Sequence, residues 1–179
     1  MFLKRGNLIT FSGPMLQGDF SDDIDDYTKN EFFDNLSKNC IEIPIEQLSK
    51  HNEIVEGMFL GGNLSTFASL GGMDFLPDEK FIFFGEDINE PVYKIDRYFH
   101  QLFNIEKFRK NVVGIVIGDF IGVDDDESFK ELLDELSTKY QVNIVKTSVF
   151  SHSKIKTTVP CGAAALIDND KIIIKDYLI

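Results

Sequence analysis

The sequence predicts an α/β domain built on a mixed β-sheet with helices on at least one face. Three observations carry that prediction. Residues 81–84 (FIFF) and 112–117 (VVGIVI) are apolar runs without polar alternation, as strands covered on both faces require. The segments between strands carry apolar residues at helical spacing, while residues 163–167 and 172–174 flank the turn pair Asn169-Asp170 and read as a terminal hairpin. Strands separated by helices in the middle, with a hairpin at the end, make the sheet mixed.

The elements follow in order. Residues 7–11 (NLITF) are strand-like and are broken by Ser12-Gly13-Pro14. Residues 19–27 (DFSDDIDDY) are acidic and unperiodic, as an exposed linker would be. Thr28-x-x-Glu31 reads as a capping box opening a helix whose Phe32, Phe33 and Leu36 share one face. Ile41, Ile43 and Ile45 alternate with polar residues or Pro44, the pattern of a half-exposed or edge strand. Met58-Phe59-Leu60 is followed by a Gly61-Gly62 turn and by Asn63, an N-cap for a helix carrying Leu64, Phe67 and Ala68. Pro91 opens a helix with Ile95, Phe99, Leu102 and Phe103 inward. Asp124-Asp125-Asp126-Glu127 caps another, and acidic residues there favour the positive helix end, so the run needs no metal. Residues 142–145 form a further short strand.

Composition bounds the function. A chain of 179 residues fits one domain, or one domain plus a fragment, and with 43% hydrophobic residues and 17 Phe it can bury a core. The formal net charge of −12 argues against nucleic acid and anionic membrane as partners, since both need a basic surface. Cys40 and Cys161 lie far apart without metal-ligand spacing, so neither a disulfide framework nor a zinc site is expected. No apolar run approaches the roughly 18 residues of a transmembrane helix, and the first six residues lack a signal core. A soluble, cytoplasmic protein of a reducing compartment, without cofactor, is the expectation.

Three places could carry chemistry. The strand at 81–84 delivers Glu86 and Asp87 to its carboxyl end, where open α/β sheets bind ligands; a solvated loop after a core strand is the other reading. Around Gly62 and Asn63, a strand, a glycine turn and a helix N-terminus make a candidate anion cradle for substrate, or only a tight turn. Of the three histidines, His51 sits in a polar loop and His100 lies off its helix's apolar face. His152 lies among small hydroxyl residues, where a carboxylate such as Glu86 could orient it as a base. Nothing in these residues supplies the nucleophile.

The stretches GGNLSTFASL (61–70), FIFFGEDINEPVYKIDRYFHQL (81–102), GIVIGDF (114–120) and SVFSHSKIKTTVPCGAAALID (148–168) occur in the order found in the carboxyl-terminal domain of LD-carboxypeptidases. The chain resembles that family over residues 8 to 175. These are serine peptidases of murein recycling and include the microcin C self-immunity proteins. The resemblance implies a layered β/β/α domain of the swivelling type for residues 50–179, a linker and connecting helix over 19–49, and a remnant of an upstream flavodoxin-like domain over 1–18. It also implies a Ser-Glu-His triad that cleaves an amide bond beside a free carboxylate, with Glu86 in GEDINE and His152 in FSHSK as two of its members.

In that family the serine sits in a Gly-x-Ser-Asp elbow ahead of a segment resembling LITFSGPM (8–15), at about which point this sequence begins. The elbow is therefore expected to lie outside the chain; Ser12 falls in the wrong place to replace it. Gly85, Ser151 and Cys161 depart from the family's usual residues, and Cys161 reads as a core thiol rather than a substitute nucleophile. The implied function is the carboxyl-terminal half of a serine carboxypeptidase acting on muropeptides or related peptides. Its partners would be the upstream nucleophile domain or a second copy of itself as a homodimer. The alternative is an inactive peptide-binding module or truncated relic, with an exposed apolar face and an orphaned strand at 7–11.

Overall fold

The computed structural model describes residues 8–21 and 23–178. Asn7, the first residue of the expected opening strand, the first six residues read for a signal core, and Asp22 of the acidic stretch lie outside the described residues. In chain order the elements are β1 (Thr10–Ser12), α1 (Asp26–Asn35), β2 (Cys40–Pro44), β3 (Glu46–Gln47), β4 (Val55–Asn63), α2 (Leu64–Ala68), β5 (Phe81–Ile88), α3 (Val92–Asn104), α4 (Glu106–Asn111), β6 (Val112–Ile121), α5 (Asp126–Tyr140), β7 (Asn143–Lys146), β8 (Val159–Cys161), β9 (Ala164–Asp168) and β10 (Lys171–Lys175).

The mixed sheet runs in the order β2, β10, β9, β4, β5, β6, β7, β3. Its centre, β4 to β7, is parallel, because the helices after β5 and β6 return the chain to the same end. The flanks are antiparallel, with the hairpin β9–β10 beside β4 and β2 beside β10. β2 and β3 stand at opposite ends of this order, yet only Ile45 separates them in sequence. One residue spans about 3.3 Å, so the two edges meet and the sheet rolls into a barrel-like layer.

Each central strand serves two cores because its side chains alternate. Phe59, Ile82, Phe84, Val116 and Val145 fill the interior with Ile41, Ile43, Ile172 and Ile174. Leu60, Phe81, Phe83, Ile115 and Ile144 pack outward on Ile95, Phe99 and Leu102 of α3, Phe108 of α4 and Leu136 of α5. The result is the expected layered α/β architecture. Burying each such aromatic contributes about 1.5–3 kcal/mol.

Several local expectations are corrected. Gly61 and Gly62 are not a turn but continue β4, and a Cβ at Gly61 would stand 1.8 Å from the Phe84 carbonyl oxygen, so only glycine lets β4 approach β5 there. Glu86 and Asp87 stand at the carboxyl end of β5 and are both buried, so the alternative of a solvated loop after the strand is set aside. α1 is capped by Asp25, whose carboxylate accepts from the Tyr27 and Thr28 amides, rather than by Thr28. Its inward residues are Thr28 and Asn35, while Phe33 and Leu36 are exposed. The phenylalanines of α1 instead cluster with Phe20, whose ring centroid lies 5.1 Å from that of Phe32. β1 is not an orphan: it pairs antiparallel with β8 in a separate two-stranded ribbon. β2 is the half-exposed strand at one end of the sheet order that the alternation of Ile41 and Ile43 led one to expect, whereas β3 at the other end had no signal in the sequence.

Candidate active site

The site forms where β5 and β6 end. Gly85 pairs with Ile117 and Asp87 with Phe120, so β6 holds two residues, Gly118 and Asp119, opposite the single residue Glu86. This bulge turns the Asp119 amide away from the ladder, and it donates to the Phe150 carbonyl at 2.8 Å. Gly118 makes the approach feasible, since a Cβ there would lie 2.3 Å from that carbonyl oxygen and 3.0 Å from Glu86 Cβ. The Phe150 ring packs on Phe59 and Phe84, at centroid distances of 5.8 and 5.4 Å. Two residues beyond this anchor comes His152.

His152 Nδ1 is hydrogen-bonded to Glu86 Oε2. The Glu86 side chain is 11% exposed and that of His152 45%. Burial raises the Glu86 carboxyl above its ordinary range, and the imidazole and, more weakly, Lys156 pull it part of the way back. Among the described residues His152 Nε2 has no hydrogen-bond partner. The pair borders a cavity of about 270 Å³ whose lining includes Ser12, Asn63, Phe84 and Lys156. A buried carboxylate oriented on one imidazole nitrogen, with the ring half exposed, can hold the tautomer and ring direction of a general base. Ser12 shares the cavity without a hydrogen bond to His152.

Lys156 forms an ion pair at 2.9 Å with Asp19, which the sequence had placed in an exposed linker. Burial pushes the Asp19 carboxyl up, but the Met15 amide and the Lys156 ammonium together outweigh it, so the net shift is downward. The two lie 137 residues apart in sequence, and no local pattern reveals the pair.

The anion cradle at the start of α2 is real in form and already filled. Asp87 accepts from the Ser65 amide at 2.9 Å and from Asn63 Nδ2 at 2.7 Å, while Asn63 Oδ1 caps the Thr66 amide at 3.0 Å. Asn63 nevertheless borders the cavity beside His152, whereas Gly62 lies on a neighbouring cavity of about 260 Å³ that Asn63 also reaches. Cys161 lines that second cavity, and burial pushes its thiol up to about 12. His100 pairs with Asp96 at 2.6 Å on α3, and His51 sits in the loop before β4, its carbonyl accepting from Gln47 and Ser49. Among the described residues no helix is long and apolar enough to cross a membrane.

Comparison with known proteins adds a second line. The family model for the LD-carboxypeptidase C-terminal domain matches residues 56–167. A Bacillus subtilis protein named "Probable murein peptide carboxypeptidase" is 32% identical over 92% of this chain and 54% of its own length. The microcin C7 self-immunity protein MccF of Escherichia coli is 29% identical over 65% of this chain and 35% of its own. The crystal structure of muramoyltetrapeptide carboxypeptidase from Oxalobacter formigenes superposes with a TM-score of 0.82 at 29% identity, covering 95% of this chain and 62% of that one. The chain thus spans about half the length, or less, of these two curated relatives.

Proposed function

Since the chain belongs to the LD-carboxypeptidase family through its C-terminal domain, we propose that it supplies the Glu-His half of a Ser-Glu-His peptidase. Glu86 orients His152 through Nδ1. His152 Nε2 takes the proton of a serine hydroxyl as that oxygen attacks the amide carbon, then returns it to the departing amine; water, activated by the same nitrogen, releases the acyl group. The serine is contributed by an upstream flavodoxin-like domain carrying a Gly-x-Ser-Asp elbow, as one chain or as a partner. The substrate is an amide bond beside a free carboxylate in a muropeptide or related peptide, recycled in the cytoplasm.

One observation carries this reading: the Glu86–His152 hydrogen bond, with Nε2 beside the cavity and unpartnered among the described residues. In the same reading residues 1–18 continue the upstream domain and 19–49 lead into the sheet through β2 and β3. The assembly with the nucleophile domain would work as a monomer or a homodimer. Without a serine the pair cannot form an acyl-enzyme, and loss of a triad nucleophile costs about a millionfold in kcat.

The test is hydrolysis of an LD-linked muropeptide tetrapeptide by this chain alone, and by its mixture with a separately expressed elbow domain. Cleavage only in the mixture, abolished by His152→Ala, supports the reading. If the two parts bind and still cleave nothing, the chain is a peptide-binding module or a relic.

A further inference from the structure

The loop that carries His152 has no regular secondary structure between β7 and β8, so something other than a ladder must hold its shape. β6 fixes the loop's entry through the Asp119 amide and Phe150 carbonyl. Its exit is fixed by α1, a helix that buries a polar face. Thr28 Oγ1 donates to the Lys154 carbonyl at 2.8 Å and accepts from the Lys156 amide at 3.0 Å. One turn on, Glu31 Oε2 accepts from Thr157 Oγ1 at 2.6 Å. A further turn on, Asn35 Nδ2 lies 3.1 Å from the Thr157 hydroxyl and 3.1 Å from the Thr158 carbonyl. Thr28, Glu31 and Asn35 fall on one stripe at spacings of three and four, which is where i, i+3 and i+7 residues of a helix line up.

A polar stripe buried against a loop is costly unless it is fully bonded, and when bonded it admits few alternative arrangements. An apolar face on α1 would have bound the loop more loosely, because dispersion contacts set no register. The sequence holds the apolar material for such a face in Phe32, Phe33 and Leu36, and the fold turns Phe33 and Leu36 to solvent instead.

We propose that Thr28, Glu31 and Asn35 are positioning residues that fix the His152 loop in the register at which Nδ1 meets Glu86. Their catalytic relevance rests on the peptidase reading above, but their effect on His152 geometry does not. Thr28 matters most, since its one hydroxyl bonds two backbone groups, at residues two and four beyond His152.

The experiment is proton and nitrogen-15 NMR of the imidazoles in the full chain, with its three histidines. The Glu86-bonded Nδ1 proton gives a strongly deshielded signal, assigned by its loss in His152→Gln and Glu86→Gln. Thr28→Val keeps the shape and removes the hydroxyl; its expected result is loss or exchange broadening of that signal, with native circular dichroism. Amide exchange at Thr157, whose N–H donates to the Val149 carbonyl at 2.9 Å, should speed up by about tenfold, as for one lost hydrogen bond. Thr28→Ser restores both. Should Thr28→Val not fold, Glu31→Ala on the less buried part of the stripe takes its place with the same expectation. A folded Thr28→Val or Glu31→Ala that keeps the deshielded signal as sharp as in the wild type overturns the proposal. An intact clamp by these measures, in a chain that never reconstitutes hydrolysis, would instead count against the peptidase reading alone.

Discussion

Glu86 and Asp87 are consecutive on β5, and their carboxylates are used on opposite faces of the sheet. Glu86 bonds His152 at the cavity; Asp87 bonds the Ser65 amide and Asn63 side chain at the start of α2. Side chains alternate along a strand, so a one-residue slip of β5 would exchange the two roles. The register of β5 against β4 and the bulge in β6 therefore decide which carboxylate meets the imidazole.

Glu86 should cost stability at neutral pH. Its carboxyl is raised by burial, so the folded state holds that proton more tightly than the unfolded chain does. The stability this preference contributes is complete below the ordinary value of 4.5 and is lost as pH rises through the higher folded value. Glu86→Gln should accordingly unfold at higher urea than wild type at neutral pH, by on the order of 1 kcal/mol, with the gap closing in acid. The same variant should abolish reconstituted hydrolysis. Lower stability of Glu86→Gln at neutral pH would mean that the His152 bond outweighs desolvation.

Asp87→Ala should be destabilising throughout. It strands the Ser65 amide and the Asn63 side-chain amide, and takes away the carboxylate oxygen that the Ile88 amide also reaches at 2.9 Å. Leaving such groups unpaired costs about 2–4 kcal/mol in all. Urea denaturation measures the loss, and an unchanged midpoint would show that water or a neighbour replaces the carboxylate.

Gly118→Ala should disturb His152 without touching it. The new Cβ would stand 2.3 Å from the Phe150 carbonyl oxygen, a clash with backbone that the loop must relieve by moving. Loss of the deshielded Nδ1 proton, together with a lower melting temperature, is the expected outcome. Retention of the proton in a fully stable variant would show that the bulge has slack.

Cys161 should be chemically silent while Cys40, which is exposed, is not. With its thiol pushed up to about 12, roughly one in 10⁴ Cys161 side chains is ionised at pH 8, and the thiolate is the reacting form. Alkylation of the native chain followed by mass spectrometry should mark Cys40 and spare Cys161 until denaturant is added. Equal labelling would reopen Cys161 as a nucleophile.

Much of the fold was legible because its signals are local. The doubly buried strands showed as unalternating apolar runs, the hairpin as the turn pair Asn169-Asp170 between two apolar segments, and the caps as Asn63 and the acidic run 124–127, within which Asp125 is the capping residue. Where reading failed, a distant partner outweighed a local preference. Thr28 looked like a cap and is instead a bond to residues 126 and 128 positions away. Gly61-Gly62 looked like a turn and is a strand pressed against Phe84.

The sequence by itself determined the doubly buried core strands, the main helices, and that Glu86 ends an apolar run while His152 stands among hydroxyl residues, because propensity and periodicity are properties of neighbours in the chain; the short strands β3 and β8 and the break between α3 and α4 left no such local signal. Only the tertiary structure decided that Ile45 closes the sheet, that Asp87 fills the helix end, and that Glu86 reaches His152 across 66 residues. Those outcomes depend on which buried polar groups find partners once the strands are in register, and a lone buried donor or carboxylate is too costly to leave the choice open.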